Sequence, residues 1–293
     1  MKEEKFDYTA LCRAMEALPK EAALCVTKIG KSILGRELPL LTLGKGKRTV
    51  LYVGGVHGTE CESAALLMRF VSDYLQQFSR NGVVYEYSMR YLFEEHRICV
   101  LPMLNPDGIS YALEGVDAKN PLRERLLRMN GNADFSLWAA NGRGVDLGHN
   151  FDVDFRERKQ NEAAEGILNG AGRDYSGEYP ESEPETAALC SFLRACGAQM
   201  EGVICFEMGA GDIYCDCKDN MTAKTVSVGR VLSRFTGYRL ARPETLCSVG
   251  SLSDWCIRAL HLPAFTLKCD ESATRALLYE RLRRVLFSYP CMV

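Results

Sequence analysis

Residues 48–60 read RTVLYVGGVHGTE, an apolar run closed by two glycines and followed by His57 and Glu60, three positions apart. The next stretch, ESAALLMRFVSDYLQQF at 62–78, repeats apolar side chains with helical spacing. The order is strand, tight turn, amphipathic helix, the unit from which layered α/β domains are made. An imidazole and a carboxylate at the end of a strand are also ligands that a zinc ion takes. On its own, the same pair reads as a cap on a strand-to-helix turn. The chain holds only four histidines in 293 residues, so a metal site built on His57 and Glu60 needs its remaining ligand from elsewhere.

Outward from this unit the pattern alternates. Upstream, residues 6–18 have helical spacing, with Tyr8, Leu11, Met15 and Leu18 on one face, and ALCVTKIG (23–30) and LPLLTLGKG (38–46) read as strands. Downstream, HRICVLPML (96–104) reads as a buried strand closed by the turn NPDG (105–108). Residues 113–143 are charged and irregular, with RERLLR at 123–128 as a solvated helix face. A loop-rich stretch from 161 leads into PETAALCSFLRACG (184–197), where Pro184 and Glu185 suit a helix N-terminus. Then come a strand (EGVICFEMG, 201–209), helices over 222–237 and 251–260, a strand (PAFTLKC, 263–269) and a final helix over 271–289. No repeat and no linker divides the chain, so one domain is expected over 1–293.

Composition narrows the function classes. At 47% hydrophobic and 25% charged the chain has an ordinary globular balance. A net charge of −2 without basic runs argues against a nucleic-acid footprint or attraction to an anionic membrane. No stretch approaches the roughly 20 apolar residues of a membrane span. The thirteen cysteines are odd in number and form no disulfide-like framework; Cys215 and Cys217 alone stand close together, a weak metal signal. Scattered reduced thiols, and an N-terminus without a signal-type apolar run, lead to a cytoplasmic expectation.

Taken in order, IGKSILGRELPLLTLGKG (29–46), GGVHGTE (54–60), LPMLNPDG (101–108), GRGVDLGHNF (142–151), YPESEPET (179–186), TGY (236–238), SLSDW (251–255) and LPAFTLK (262–268) form a set. With this set the chain resembles the zinc metallocarboxypeptidases over nearly its whole length. It is most similar to their bacterial branch that cleaves γ-D-glutamyl–diaminopimelate bonds in cell-wall peptides. The resemblance implies an α/β fold with a mixed, twisted eight-stranded sheet, helices on both faces and a site at the strand ends. It also implies that His57 and Glu60 descend from two zinc ligands, and that Asn105 and Asp107 support the site as turn residues.

Several positions depart from the family pattern. Its third ligand is a His in a motif like F-H-S-x-G-x-x-I-Y; here FEMGAGDIY puts Glu207 in that place. Its general base is a Glu in a strand like FTIE; here FTLK puts Lys268 there. A base that takes a proton from metal-bound water must be unprotonated near neutral pH, whereas a lysine with a reference pKa of about 10.4 donates. Asp270 and Glu271, two and three residues on, are the candidate substitute bases. The family's carboxylate-binding Asn-Arg becomes Gly148-His149, before Asn150 and Phe151. The basic residue after the motif's tryptophan becomes Ala139, with Arg143 as a partial stand-in, and the mobile tyrosine aligns near Thr245 or Leu246.

If the fold holds, Glu60, Glu207 and Lys268 converge beside His57. Two close carboxylates repel each other, and an ammonium repairs that arrangement without any metal. Two functions stay open. In one, a peptide-binding cleft accepts a small peptide or carboxylate-bearing ligand through His149, Arg143, Asn150 and Lys268, with ordinary peptidase activity lost or altered. In the other, zinc on His57, Glu60 and Glu207 activates water, with Asp270 or Glu271 as base, to hydrolyse murein-type γ-D-glutamyl peptides. A third role for Lys268, as a nucleophile or base after loss of its proton, runs against the carboxylates that would raise its pKa. Nucleic acid and membrane enter none of these.

Overall fold

A computed structural model describes residues 5–20, 23–215, 222–241 and 250–293. Its strands are β1 (Leu24–Lys31), β2 (Glu37–Leu43), β3 (Arg48–Val53), β4 (Val83–Val84), β5 (Tyr87–Ser88), β6 (His96–Leu101), β7 (Met200–Gly209), β8 (Asp212–Tyr214), β9 (Arg239–Ala241) and β10 (Ala264–Asp270). The helices are α1 (Tyr8–Glu16), α2 (Cys61–Ser79), α3 (Met89–Glu95), α4 (Pro106–Glu114), α5 (Arg123–Asn130), α6 (Phe155–Ala164), α7 (Pro184–Cys196), α8 (Ala223–Thr236), α9 (Leu252–Ala259) and α10 (Arg275–Ser288). Among the described residues, no helix is long and apolar enough to cross a membrane.

Eight strands form one mixed sheet in the order β1-β2-β6-β3-β7-β10-β8-β9, with β4 and β5 as a separate small hairpin. The four central strands run parallel, while β1, β2 and β8 each pair antiparallel with a neighbour. Every residue of β3 from Thr49 to Val53 is buried, as a strand covered on both faces must be. The edge strand β1 is instead largely exposed and carries Lys28 and Lys31, charges that discourage pairing with another chain.

Core packing fixes the sheet against its helices. Tyr52 on β3 meets Phe70 of α2, Phe206 of β7 and Tyr289 at ring separations of 5.7, 5.8 and 6.1 Å. Its hydroxyl donates to the Leu286 carbonyl at the end of α10, 2.8 Å away, so the ring is buried without an unsatisfied polar atom. Around α7 and α9, the Arg194 guanidinium lies over the Trp255 ring.

Shorter elements fill the connections between the strands. The NPDG turn opens helix α4, with the Asn105 side chain capping it through the Gly108 N–H at 2.9 Å. Helix α5 buries Leu126 with Tyr111, Phe135, Trp138 and Ala140 in a satellite core. The positions of Cys217, Thr245 and Leu246 lie outside the described residues.

Strand order places the site. From β3 the chain crosses to β6 on one side, and from β7 it crosses toward β8, β9 and β10 on the other. The crevice beyond the carboxyl ends of β3 and β7 is therefore a topological switch point, where open α/β sheets place ligands.

Candidate active site

The turn after β3 brings His57 to this crevice. Gly55, at φ +57°, is in the left-handed region that glycine adopts without strain. Neighbouring backbone holds the turn: the Leu104 and Asn105 N–H groups donate to the Gly54 and Gly55 carbonyls at 3.1 and 2.8 Å. Glu60 takes the N-cap position of α2, yet its carboxylate makes no cap bond. It turns back toward the crevice and accepts from the Met208 N–H of β7 at 3.1 Å and from the His57 N–H at 3.3 Å. A simple cap therefore does not account for the pair.

His57 lies between two carboxylates. Its Nδ1 is 3.0 Å from Glu60 Oε1 and its Nε2 is 3.1 Å from Asp146 Oδ1. Burial alone would lower the imidazole pKa, but Glu60 and Asp146 overcome it and hold the pKa well above the ordinary value. With both ring nitrogens facing carboxylates, the ring is an imidazolium that donates twice. Asp146 responds in kind: burial raises its pKa, yet His57 holds it far below the usual carboxylate range. Gly148 makes room for this contact, since a Cβ there would lie 2.5 Å from His57 Nε2.

Glu207 and Lys268 meet across the sheet. They are direct partners in the parallel pairing of β7 with β10, and the Lys268 ammonium forms an ion pair with the Glu207 carboxylate. Glu207 is 5% exposed and Glu60 4%, so neither is solvated well enough to carry charge unaided. Burial pushes the Glu207 pKa up, and Lys268 with His57 more than reverses the push. Glu207 in turn raises the Lys268 pKa against its burial. The amine is therefore a cation and not a base. Three carboxylates (Glu60, Asp146, Glu207) against two cations (His57, Lys268) leave one residual negative charge.

The nearest ligand atoms of His57, Glu60 and Glu207 lie within 4.8 Å of one another, close enough to share an ion. Their bonding does not fit one. His57 Nδ1 faces Glu60, Glu60 is held by His57 and Met208, and Glu207 carries the Lys268 ammonium. A dication would have to displace a positive charge already seated on its own ligands.

These residues line one cavity of about 520 Å³, together with Thr59, Ala139, Asp146, Arg173, Tyr214 and Glu271. His149 also lines it, nine-tenths buried, with Nε2 3.9 Å from Asp174 Oδ1. Burial, with Arg158 and His57 near, lowers its pKa despite Asp146, so His149 is neutral.

Three residues expected at the site lie elsewhere. Arg143 grips Glu183 with two bonds of 2.8 Å and donates to the Ser182 carbonyl, outside the cavity lining. Asn150 is fully buried; its amide donates to Ser176 O, Tyr179 O and Ser182 Oγ, and its carbonyl accepts from the Glu183 N–H. Asp270 turns away from the cavity, accepting from Ser272 and from Arg281 at 3.2 Å, so that of the two substitute bases expected from the sequence Glu271 alone lines the wall. Three charged residues of the cavity went unassigned in the sequence, Asp146, Arg173 and its neighbour Asp174. Asp146 lies inside GRGVDLGHNF, where its position before Gly148 was the available signal, and Arg173 and Asp174 lie in a loop without any.

A zinc carboxypeptidase family model matches residues 8–215. Gamma-D-glutamyl-L-diamino acid endopeptidase 1 of Lysinibacillus sphaericus is 27% identical over 269 residues, which span 91% of this chain and 66% of that protein. The chain therefore covers just under two thirds of this curated relative's length. Among solved structures, bovine thrombin-activatable fibrinolysis inhibitor superposes with a TM-score of 0.68 at 18% identity, over 97% of this chain and 93% of that one. Murein-tripeptide amidase MpaA of Escherichia coli O157 gives 0.56 at 19% identity, over 95% and 94% of the two chains. At these identities the solved structures establish the fold alone, the mixed eight-stranded sheet with its helices.

Proposed function

This chain belongs to the zinc carboxypeptidase family, and we propose that within it the chain is a peptide-binding member that has exchanged its metal for an internal cation. The observation that carries this reading is the Lys268 ammonium seated on Glu207, in the cavity that also holds His57 and Glu60. Hydrolysis of the inherited kind needs an ion that polarises water and a group that accepts its proton. Lys268 opposes the first by its charge and cannot perform the second while protonated. The pocket itself persists, with a volume in the range of small-molecule sites.

The ligand class follows from the relative that the chain resembles over nine tenths of its own length. A small peptide with a γ-D-glutamyl link to a diamino acid is the ligand that this relative's name supports. Eleven cysteines among the described residues are free thiols, which supports the reducing environment of the cytoplasm as the place of action. The competing reading, a zinc peptidase on His57, Glu60 and Glu207, is favoured by the clustering of those three ligand atoms.

Calorimetry and turnover separate the two. Zinc is titrated into the metal-free chain and into His57→Ala, and γ-D-glutamyl-L-lysine is incubated with each chain, with and without a chelator. The expected result is peptide-induced thermal stabilisation with no product and no stoichiometric zinc binding. One-to-one zinc binding that His57→Ala abolishes, accompanied by chelator-sensitive cleavage, would overturn the proposal.

A further inference from the structure

The charges of the cavity fall into satisfied groups, with two exceptions. His57 is shared by Glu60 and Asp146, and Lys268 is held by Glu207. Asp174 is paired with Arg158 at 3.1 Å and approaches His149. Arg173 and Glu271 also line the cavity, both exposed, and among the described residues neither side chain has an ion pair or hydrogen bond. One is a guanidinium and the other a carboxylate.

They belong to different walls. Arg173 precedes Asp174, whose backbone N–H donates to Asp146 Oδ2 at 3.1 Å, so the guanidinium springs from the wall that holds His149. Glu271 follows β10, and its N–H donates to the Gly209 carbonyl at the end of β7 at 3.0 Å, beyond Lys268. Both side chains therefore project from anchored backbone. A free guanidinium fork matches a carboxylate with two parallel hydrogen bonds. A free carboxylate on the other wall matches an ammonium.

We infer that the cavity takes a zwitterionic amino-acid or peptide ligand, with Arg173 on its carboxylate and Glu271 on its ammonium. This rests on the peptide-binding reading above and names the two charges that orient the ligand. Lys268 and His57 do not supply these contacts, because their own partners already neutralise them.

The test is a pair of double-mutant cycles in the full chain, read by calorimetry. The ligands are γ-D-glutamyl-L-lysine, the same dipeptide with both carboxylates amidated, and the same dipeptide with both amines acetylated. Arg173→Gln should weaken the parent dipeptide about tenfold, the equivalent of one charge-assisted contact, and leave the amidated one unaffected. Glu271→Gln should weaken the parent similarly and leave the acetylated one unaffected. If the parent binds the original chain and both variants equally, this assignment fails while the binding reading stands. If the parent does not bind the original chain at all, both fail together.

Discussion

Lys268→Met removes the ammonium and keeps most of the side-chain stem, so its effect isolates the charge. In the native site that charge neutralises Glu207, a carboxylate 5% exposed that shares its pocket with Glu60. Breaking a fully buried ion pair costs about 3–5 kcal/mol. The Lys268 side chain is 35% exposed, so solvent screening reduces the expected loss to about 2 kcal/mol. The sign of the pH dependence inverts as well. Native Glu207 has a lowered pKa, so its contribution is present above the unfolded-state pKa and is lost as pH falls. Without Lys268, burial and Glu60 push that pKa up, the folded state holds the proton, and stability falls as pH rises. Urea unfolding of both chains at pH 5 and pH 7 measures this, with the deficit expected to be largest at pH 7. Zinc adds a second reading: at a hundredfold excess over its dissociation constant it should stabilise the variant by about 2.7 kcal/mol and the native chain hardly at all. A variant as stable as the native chain at pH 7, or zinc that stabilises both alike, would refute the reasoning.

Other substitutions test the supporting structure. Glu185 is fully buried, accepts from the Ile33 N–H at 3.1 Å, and has its pKa pushed up to about 7, chiefly by burial. Native stability should therefore fall between roughly pH 4.5 and 7, by on the order of 3 kcal/mol from this group; urea unfolding of Glu185→Gln should show that slope reduced. Gly148→Ala puts a Cβ within 2.5 Å of His57 Nε2 and should cost about 1–3 kcal/mol, while proton NMR titration shows the His57 pKa falling as the ring leaves Asp146. Asn150→Ala strands buried partners and should lower stability by about 2–3 kcal/mol in urea unfolding, with calorimetric affinity for γ-D-glutamyl-L-lysine unchanged because the amide does not face the cavity.

The sequence was most legible where backbone pairing constrains side-chain direction. In FEMG and FTLK the strand period fixes which residues face together, so the meeting of Glu207 with Lys268 follows from register. His57 and Glu60 were legible because a strand, a glycine turn and a helix bracket them. Helix α6 was not. Its sequence FRERKQNEAA has no apolar stripe, and its inner face is charged: Arg158 and Glu162 are buried, and Glu162 accepts from the Ser176 N–H at 2.8 Å. Hydrophobic periodicity has nothing to detect in such a helix. Arg143, Asn150 and Asp270 show the same limit, because in each case a long-range partner, Glu183, Ser176 or Arg281, decides where the side chain goes.

Since residues 207 and 268 face each other on adjacent strands, neither can change alone without leaving its opposite number exposed as an error. Replace the lysine and two acids crowd together; replace the acid and an ammonium is marooned beside an imidazolium. Any stepwise exchange of this pair for another must cross one of these poorer intermediates, which makes the present arrangement self-locking in the landscape of nearby sequences.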